Sequence, residues 1–306
     1  MSLSFLFVQL LNGVQFGMLL FLLSAGLTLV LGIMNFVNLM HGSLYMVGAY
    51  AAVAAFEKTS SFVAAGAIAV SATVLVGLVV ERLVLRRLYR REHLAQVLAT
   101  LGMIMIFNEL VRFVWGASAQ SMDVPAAFSQ PILLLGLPYP SYRFVVIGVG
   151  ALVGIGLYIL IHRTRLGILI RAAAADPAMT ANMGVNVRLL NSTVIGLGAA
   201  LAALAGLMAA PLSSVQSGMG EPILIMTLVV IVTGGIGSVR GAFFGALIVG
   251  VIDTLGRTLL PTLLRELLDR SLAQAIGPAI SSMLIYLVMA AVLVVRPQGL
   301  FPVKHG

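Results

Sequence analysis

The chain alternates between long apolar runs and short polar or basic interruptions. Most runs are about twenty residues long, the length an α-helix needs to cross the hydrocarbon core of a bilayer. They predict spans at about 6–32, 42–56, 61–81, 94–115, 143–162, 189–210, 222–236, 242–257 and 276–295. The expected fold is therefore an all-α polytopic membrane protein with about 8–9 transmembrane helices, built as one domain over 1–306. Broken or short helices are expected near 33–42 and 233–242. Residues 258–275 are amphipathic and of mixed charge, which predicts a separate helix lying on the outer face.

Composition supports this reading. Apolar residues make up 60% of the chain and charged residues only 9%, where a soluble domain carries roughly a quarter charged. Mean hydropathy is +1.11. The net charge of +8 would suggest a nucleic-acid partner in a soluble protein. Here the arginines sit in blocks between apolar runs, the positive-inside pattern of a membrane protein, so no nucleic-acid partner is expected. The strongest block is ERLVLRRLYRREH (Glu81 to His93), with five arginines. It is either an anchor at the lipid surface or a partner contact. By parity the N-terminus lies outside, the C-terminus inside, and the Pro-rich loop 116–142 outside. Cysteine is absent, which removes disulfides and thiol chemistry.

Several chemistries are missing. Lysine occurs only at 58 and 304, neither in a phosphate-binding Gly-x-x-x-x-Gly-Lys-Ser/Thr run. The four histidines lack metal-ligand spacing, and no Gly-x-Ser-x-Gly elbow is present. No enzyme, metal or cofactor is expected. Ionisable groups within spans are functional candidates. The buried-looking pair Glu109/Arg112 and the pair Asp253/Arg257 each place opposite charges one helical turn apart. They are either self-neutralised structural pairs or a relay.

Two interruptions carry more information. In GIMNFVNLMHG (Gly32 to Gly42), Asn35, Asn38 and His41 fall where an apolar helix would otherwise continue, followed by Gly42 and Tyr45. Polar backbone at that depth needs protein or water around it. These residues either satisfy a broken helix or line a solute path. In TGGIGSVRGAFFG (Thr233 to Gly245), Gly234, Gly235, Gly237, Ser238 and Gly241 predict a tight inner turn, since so many glycines disfavour a helix.

The cytoplasmic segment 163–188 has its own grammar. The residue before a proline is pushed out of helical geometry, so a helix through Ala172–Ala175 should break at Asp176. Asp176 is a good N-cap and Pro177 fits the first helical position. Gly184 is a natural left-handed stop. An isolated helix of about two turns results, with Met179 and Met183 one turn apart and suited to another protein's groove.

These motifs together resemble the permeases of branched-chain amino-acid ABC importers, in particular the H-type member of their paired permeases. The similarity covers nearly the whole chain. It rests on NLMHGSLYMVGAY (Asn38 to Tyr50), ATLG (Ala99 to Gly102), GILIRAAAADPAMTANMGVNV (Gly167 to Val187), GGIGSVRGA (Gly234 to Ala242) and RPQGLF (Arg296 to Phe301). Met40 and Arg240 depart from the family pattern, which usually has Ala and often Pro there. The resemblance implies a permease subunit in a bacterial inner membrane, importing branched-chain amino acids or a related small polar solute. Its implied partners are a second permease in a heterodimer, two cytoplasmic ATPases that use the ATP, and a periplasmic solute-binding protein. The ATPase-coupling residues would be Gly167, Arg171, Asp176, Pro177, Met179, Met183, Gly184 and Asn186. The rival reading is a self-sufficient ion-coupled transporter using Glu109 or Asp253.

Overall fold

Surrounded by hydrocarbon, a backbone must satisfy its own hydrogen bonds, and helices do so over most of this chain. The computed structural model describes residues 3–301 except 90, 135, 268 and 269, and leaves out the side chains of 265, 267, 270, 271, 273–275 and 278. The helices are α1 (Leu3–Met34), α2 (His41–Thr59), α3 (Phe62–Val80), α4 (Arg86–Leu88), α5 (His93–Trp115), α6 (Ser141–Arg163), α7 (Arg165–Ala175), α8 (Pro177–Asn182), α9 (Val187–Ala209), α10 (Gly220–Gly234), α11 (Val239–Leu267) and α12 (Arg270–Val295). A π turn, Glu81–Leu85, joins α3 to α4 without a break. Among the described residues six helices are long and apolar enough to cross a membrane, and α10 and the apolar part of α12 (Ala279–Val295) are shorter.

Helix α1 is the hub. It packs against α11, α9, α6 and α10, and it is buried without a break from Gly17 to Val30. Small residues make these crossings close. Gly17 lies against the backbone of Ala246 and Leu247, and Gly48 of α2 against Ala203 of α9. Lipid gives helices no hydrophobic drive to associate, so close van der Waals packing holds the bundle. The outward faces of α3, α5 and α6 show Val63, Leu75, Met105, Phe113, Leu152 and Ile155, as helices facing lipid would.

Two expectations fail. The amphipathic stretch 258–275 is not a separate surface helix. Helix α11 continues through Pro261 to Leu267, and Gly277 of α12 packs against that proline. A proline costs a helix one hydrogen bond and bends it, but α11 keeps helical geometry for six residues beyond it. The Glu109–Arg112 pair is formed but not buried: its side chains are 71% and 54% exposed, because α5 sits at the edge of the bundle.

The loop 116–142 has structure of its own. Strands β1 (Pro131–Leu134) and β2 (Leu137–Pro140) form an antiparallel hairpin with Pro131 opposite Pro140. Gln120 exchanges backbone hydrogen bonds of 2.8 Å with Val215, tying this loop to the segment before α10.

Candidate functional site

The polar break after α1 is a re-entrant segment. Helix α1 ends at Met34, and Asn35 turns the chain with φ +45°. Gly32 touches Gly237 in the inner glycine turn, whereas the His41 ring reaches the Leu23 carbonyl, with Nε2 3.2 Å from it. Leu23 lies roughly 13 Å along α1 from Gly32 at 1.5 Å per residue. Residues 35–40 therefore climb back into the bundle, and α2 begins inside it. Gln96 of α5 holds this segment: its Oε1 accepts from the Val37 amide at 3.3 Å, and its Nε2 donates to the Leu88 and Arg91 carbonyls.

A matching dip comes from the other side. The Ser217 hydroxyl donates to the Asn108 carbonyl at 3.1 Å. Asn108 is seven residues below Trp115, or about 10 Å into the membrane region. Helix α10 thus also starts within the bundle. The two starts meet where a methyl group on Gly42 would lie 2.5 Å from the Gly220 carbonyl oxygen. Discontinuous helices that begin at membrane depth are where transporters build solute sites.

Beside this crossing, α2, α5 and α10 enclose a narrow cleft. Its polar members are Ser43, Asn108 and Glu221, and its walls are Leu39, Met46, Ile104 and Leu224. Asn108 Nδ2 donates to Glu221 Oε1. Among the described residues no cation forms an ion pair with Glu221.

Of the residues proposed to line a path, only Gly42 borders this cleft. Asn35 is exposed at the inner end of α1, and Tyr45 is buried with its carbonyl against Gly206. His41 is spent on the α1 backbone. Asn38 is buried, and its Oδ1 has no hydrogen-bond partner among the described residues. Met40 is fully buried. Sequence reading missed Ser43, Asn108 and Glu221. Asn108 and Glu221 stand 113 positions apart, and Glu221 falls just before the span expected at 222–236, so no local pattern pairs them.

In the segment 163–188, Asp176 caps α8 by accepting from the Ala178 and Met179 amides at 2.9 Å each, and Pro177 opens the helix. Gly184 follows with φ +86°. Asn186 caps α9, accepting from the Leu189 amide at 3.1 Å. Arg171 donates to the Ile161 carbonyl, and Gly167 packs against the Leu160 and Ile161 carbonyls. These two brace the α6–α7 corner. Met179 and Met183 are 55% and 76% exposed, so α8 presents them outward.

The inner glycine turn joins two motifs. Gly234 and Gly241 touch through their backbones. Gly235 and Gly237 have φ +111° and +80°, which only glycine adopts freely. Ser238 starts α11 by accepting from the Gly241 amide. The RPQGLF segment docks here: the amides of Leu300 and Phe301 donate to the carbonyls of Thr233 and Gly234, each at 2.9 Å. Arg240 stacks its guanidinium 5.4 Å over the Tyr158 ring.

A further cluster joins α3 to α9. The buried Glu81 carboxylate accepts from Arg86 Nε at 2.9 Å, the Tyr89 hydroxyl at 3.2 Å and the Ser192 hydroxyl at 3.2 Å. Burial, with the Glu81 charge second, pushes the Tyr89 phenol above its ordinary value. Deeper in the membrane region, Arg257 pairs with Asp253 at 2.8 Å, the carboxylate buried and the guanidinium half-exposed.

The chain is an α-helical bundle with two helices that begin inside it, an arrangement that transporters use. Residues 9–293 match the model of a family described as "Branched-chain amino acid transport system / permease component", and the chain belongs to that family. It is 29% identical to the high-affinity branched-chain amino acid transport system permease protein BraD of Pseudomonas aeruginosa, over 81% of this chain and 85% of that one. It is 30% identical to the probable branched-chain amino acid transport permease protein LivH of Methanocaldococcus jannaschii, over 78% and 76%. The LivH protein of Escherichia coli K12 is 27% identical over 82% and 86%. No solved structure matches the chain. Membership makes this chain a transport permease and not an enzyme.

Proposed function

We propose that this chain is one of two different pore-forming permeases in an ABC importer for branched-chain amino acids. Two cytoplasmic ATPases drive it and a periplasmic binding protein delivers the solute. The N-terminus is periplasmic, the C-terminus cytoplasmic, and α8 docks on an ATPase. The observation that carries the docking role is α8 itself. It is an isolated capped helix that turns two methionines toward solvent, on the end of the bundle where the arginine blocks lie. Gly167 and Arg171 fix its root on α6, so force applied to α8 passes into a span. Such coupling needs each ATPase state to contact the permease differently. The ion-coupled alternative is disfavoured by the family and by the arginine partners of Glu109 and Asp253.

The test is leucine uptake by cells whose chain carries Met179→Glu with Met183→Glu. Charges in an adaptable apolar contact should cut uptake at least tenfold while the binding protein still captures leucine. Wild-type uptake from that variant would reject α8 as the docking helix.

A further inference from the structure

We infer that the cleft between α2, α5 and α10 is an α-amino-acid subsite on the translocation path, with Glu221 as the group that receives the solute's ammonium. The inference rests on the proposed importer function and goes beyond it by assigning residues and their chemistry.

Three observations converge on Glu221. First, it is an ionisable side chain at membrane depth, which is a functional candidate by default. Its level is fixed by Asn108, the residue that donates to it, which lies about 22 Å along α5 from His93. Secondly, among the described residues no cation pairs with it. Within the spans Glu81, Glu109 and Asp253 each hold an arginine, whereas Glu221, in the first turn of α10, accepts from the neutral Asn108 amide. A carboxylate kept at depth without a cation is costly, and a passing ammonium would relieve that cost. Thirdly, the rest of the cleft has matching chemistry. Leu39, Met46, Ile104 and Leu224 form an aliphatic wall next to the carboxylate. A branched aliphatic side chain joined to an ammonium fits such a pairing; a sugar, with neither, does not.

Asn108 is the positioning residue. Its side chain holds Glu221 Oε1, while its backbone carbonyl receives Ser217, the residue that leads into α10. Arg112 stands one turn further out on the same side of α5, where a solute carboxylate would arrive first. The cleft is closed in this structure, with Gly42 against Gly220 at its base. Opening it requires α2 and α10 to separate.

The experiment uses the complete importer in proteoliposomes, with leucine as the probe. Wild-type must first import leucine with ATP; failure there would reject the importer reading itself, before any variant is made. Glu221→Gln should then lower leucine import at least tenfold while ATP hydrolysis stimulated by the loaded binding protein persists. Glu221→Asp should restore part of the import. Loss of import and stimulated hydrolysis together would mean Glu221 serves assembly or gating, and would overturn the subsite. So would unchanged import in Glu221→Gln. A second measurement uses the cysteine-free chain. Ser43→Cys creates its only thiol, inside the cleft. Leucine under turnover should slow modification of that thiol by an anionic methanethiosulfonate several-fold, and should not do so in Ser43→Cys with Glu221→Gln. Equal rates with and without leucine in the single variant would overturn the proposal.

Discussion

At the scale of single residues, Asp176 carries more than its size suggests. Helix α8 has six residues, far below the length at which a helix holds itself in water. The Asp176 carboxylate satisfies two of its open amides. Asp176→Ala removes a cap worth roughly 1 kcal/mol, enough to fray so short an element. Leucine uptake is expected to fall several-fold in Asp176→Ala, and Asp176→Asn, an equally good cap, should keep it near wild-type. An equal loss in both would mean the charge acts otherwise than as a cap. Tyr89 gives a second residue-scale prediction. Its phenol holds its proton more tightly in the fold than in the unfolded chain, where the value is near 10. Its contribution to stability is therefore intact below that pH and is lost as pH rises through the folded value. Thermal unfolding of the detergent-solubilised protein should show an alkaline decline that starts near pH 10, and Tyr89→Phe should blunt it.

Among elements, the short helix α10 is the informative one. Its ends are pinned by backbone contacts that leave no room for a side chain: Gly42 on Gly220 at one end and Gly234 on Gly241 at the other. Gly42→Leu must push α2 off α10. Overpacking of this kind costs about 1–3 kcal/mol, occasionally more, and should appear as a lower unfolding midpoint together with lost uptake. The variant Ala52→Gly, on α2 away from this crossing, should retain uptake. The span positions were legible in the sequence because hydrocarbon imposes helix length directly: α5, α6 and α9 lie within two residues of the expected ranges. The cap at Asp176 and the stop at Gly184 were legible because each is a local rule. The depth at which α2 and α10 begin was not, since it depends on which turn of α1 receives His41 and which carbonyl receives Ser217. The polar residues of 33–42 lie in the re-entrant segment itself, and of the path candidates named there Gly42 alone borders the cleft. His41 answers a backbone carbonyl, while the cleft takes its polar groups from Ser43 of α2, Asn108 of α5 and Glu221 of α10. The surface helix expected at 258–275 failed because its mixed charge looked like an interface, whereas α11 runs on through Pro261 to Leu267.

For the whole molecule, the two ends of the bundle differ in kind. One end carries the glycine turn, the RPQGLF segment clasped on it, the Glu81 cluster and the protruding α8. The other carries the β-hairpin and the Gln120–Val215 bridge that holds the chain just before α10. A signal entering at α8 reaches α6 through the Arg171 bond and α9 through Asn186. Helix α9 then meets α2 along Gly48 and Gly206, and α2 bears on α10 at Gly42. This chain of contacts links α8 to the base of the cleft without any long-range charge. Its direction in the membrane can be checked with single thiols, because the chain has no cysteine of its own. Met183→Cys, exposed beside α8, and Ser129→Cys, exposed in the outer loop, should label from opposite sides. In intact spheroplasts a membrane-impermeant maleimide is expected to modify Ser129→Cys and spare Met183→Cys, and inverted vesicles should give the reverse. Labelling of Met183→Cys from the periplasm would place α8 where no ATPase could reach it, and the proposed coupling route would have to be abandoned.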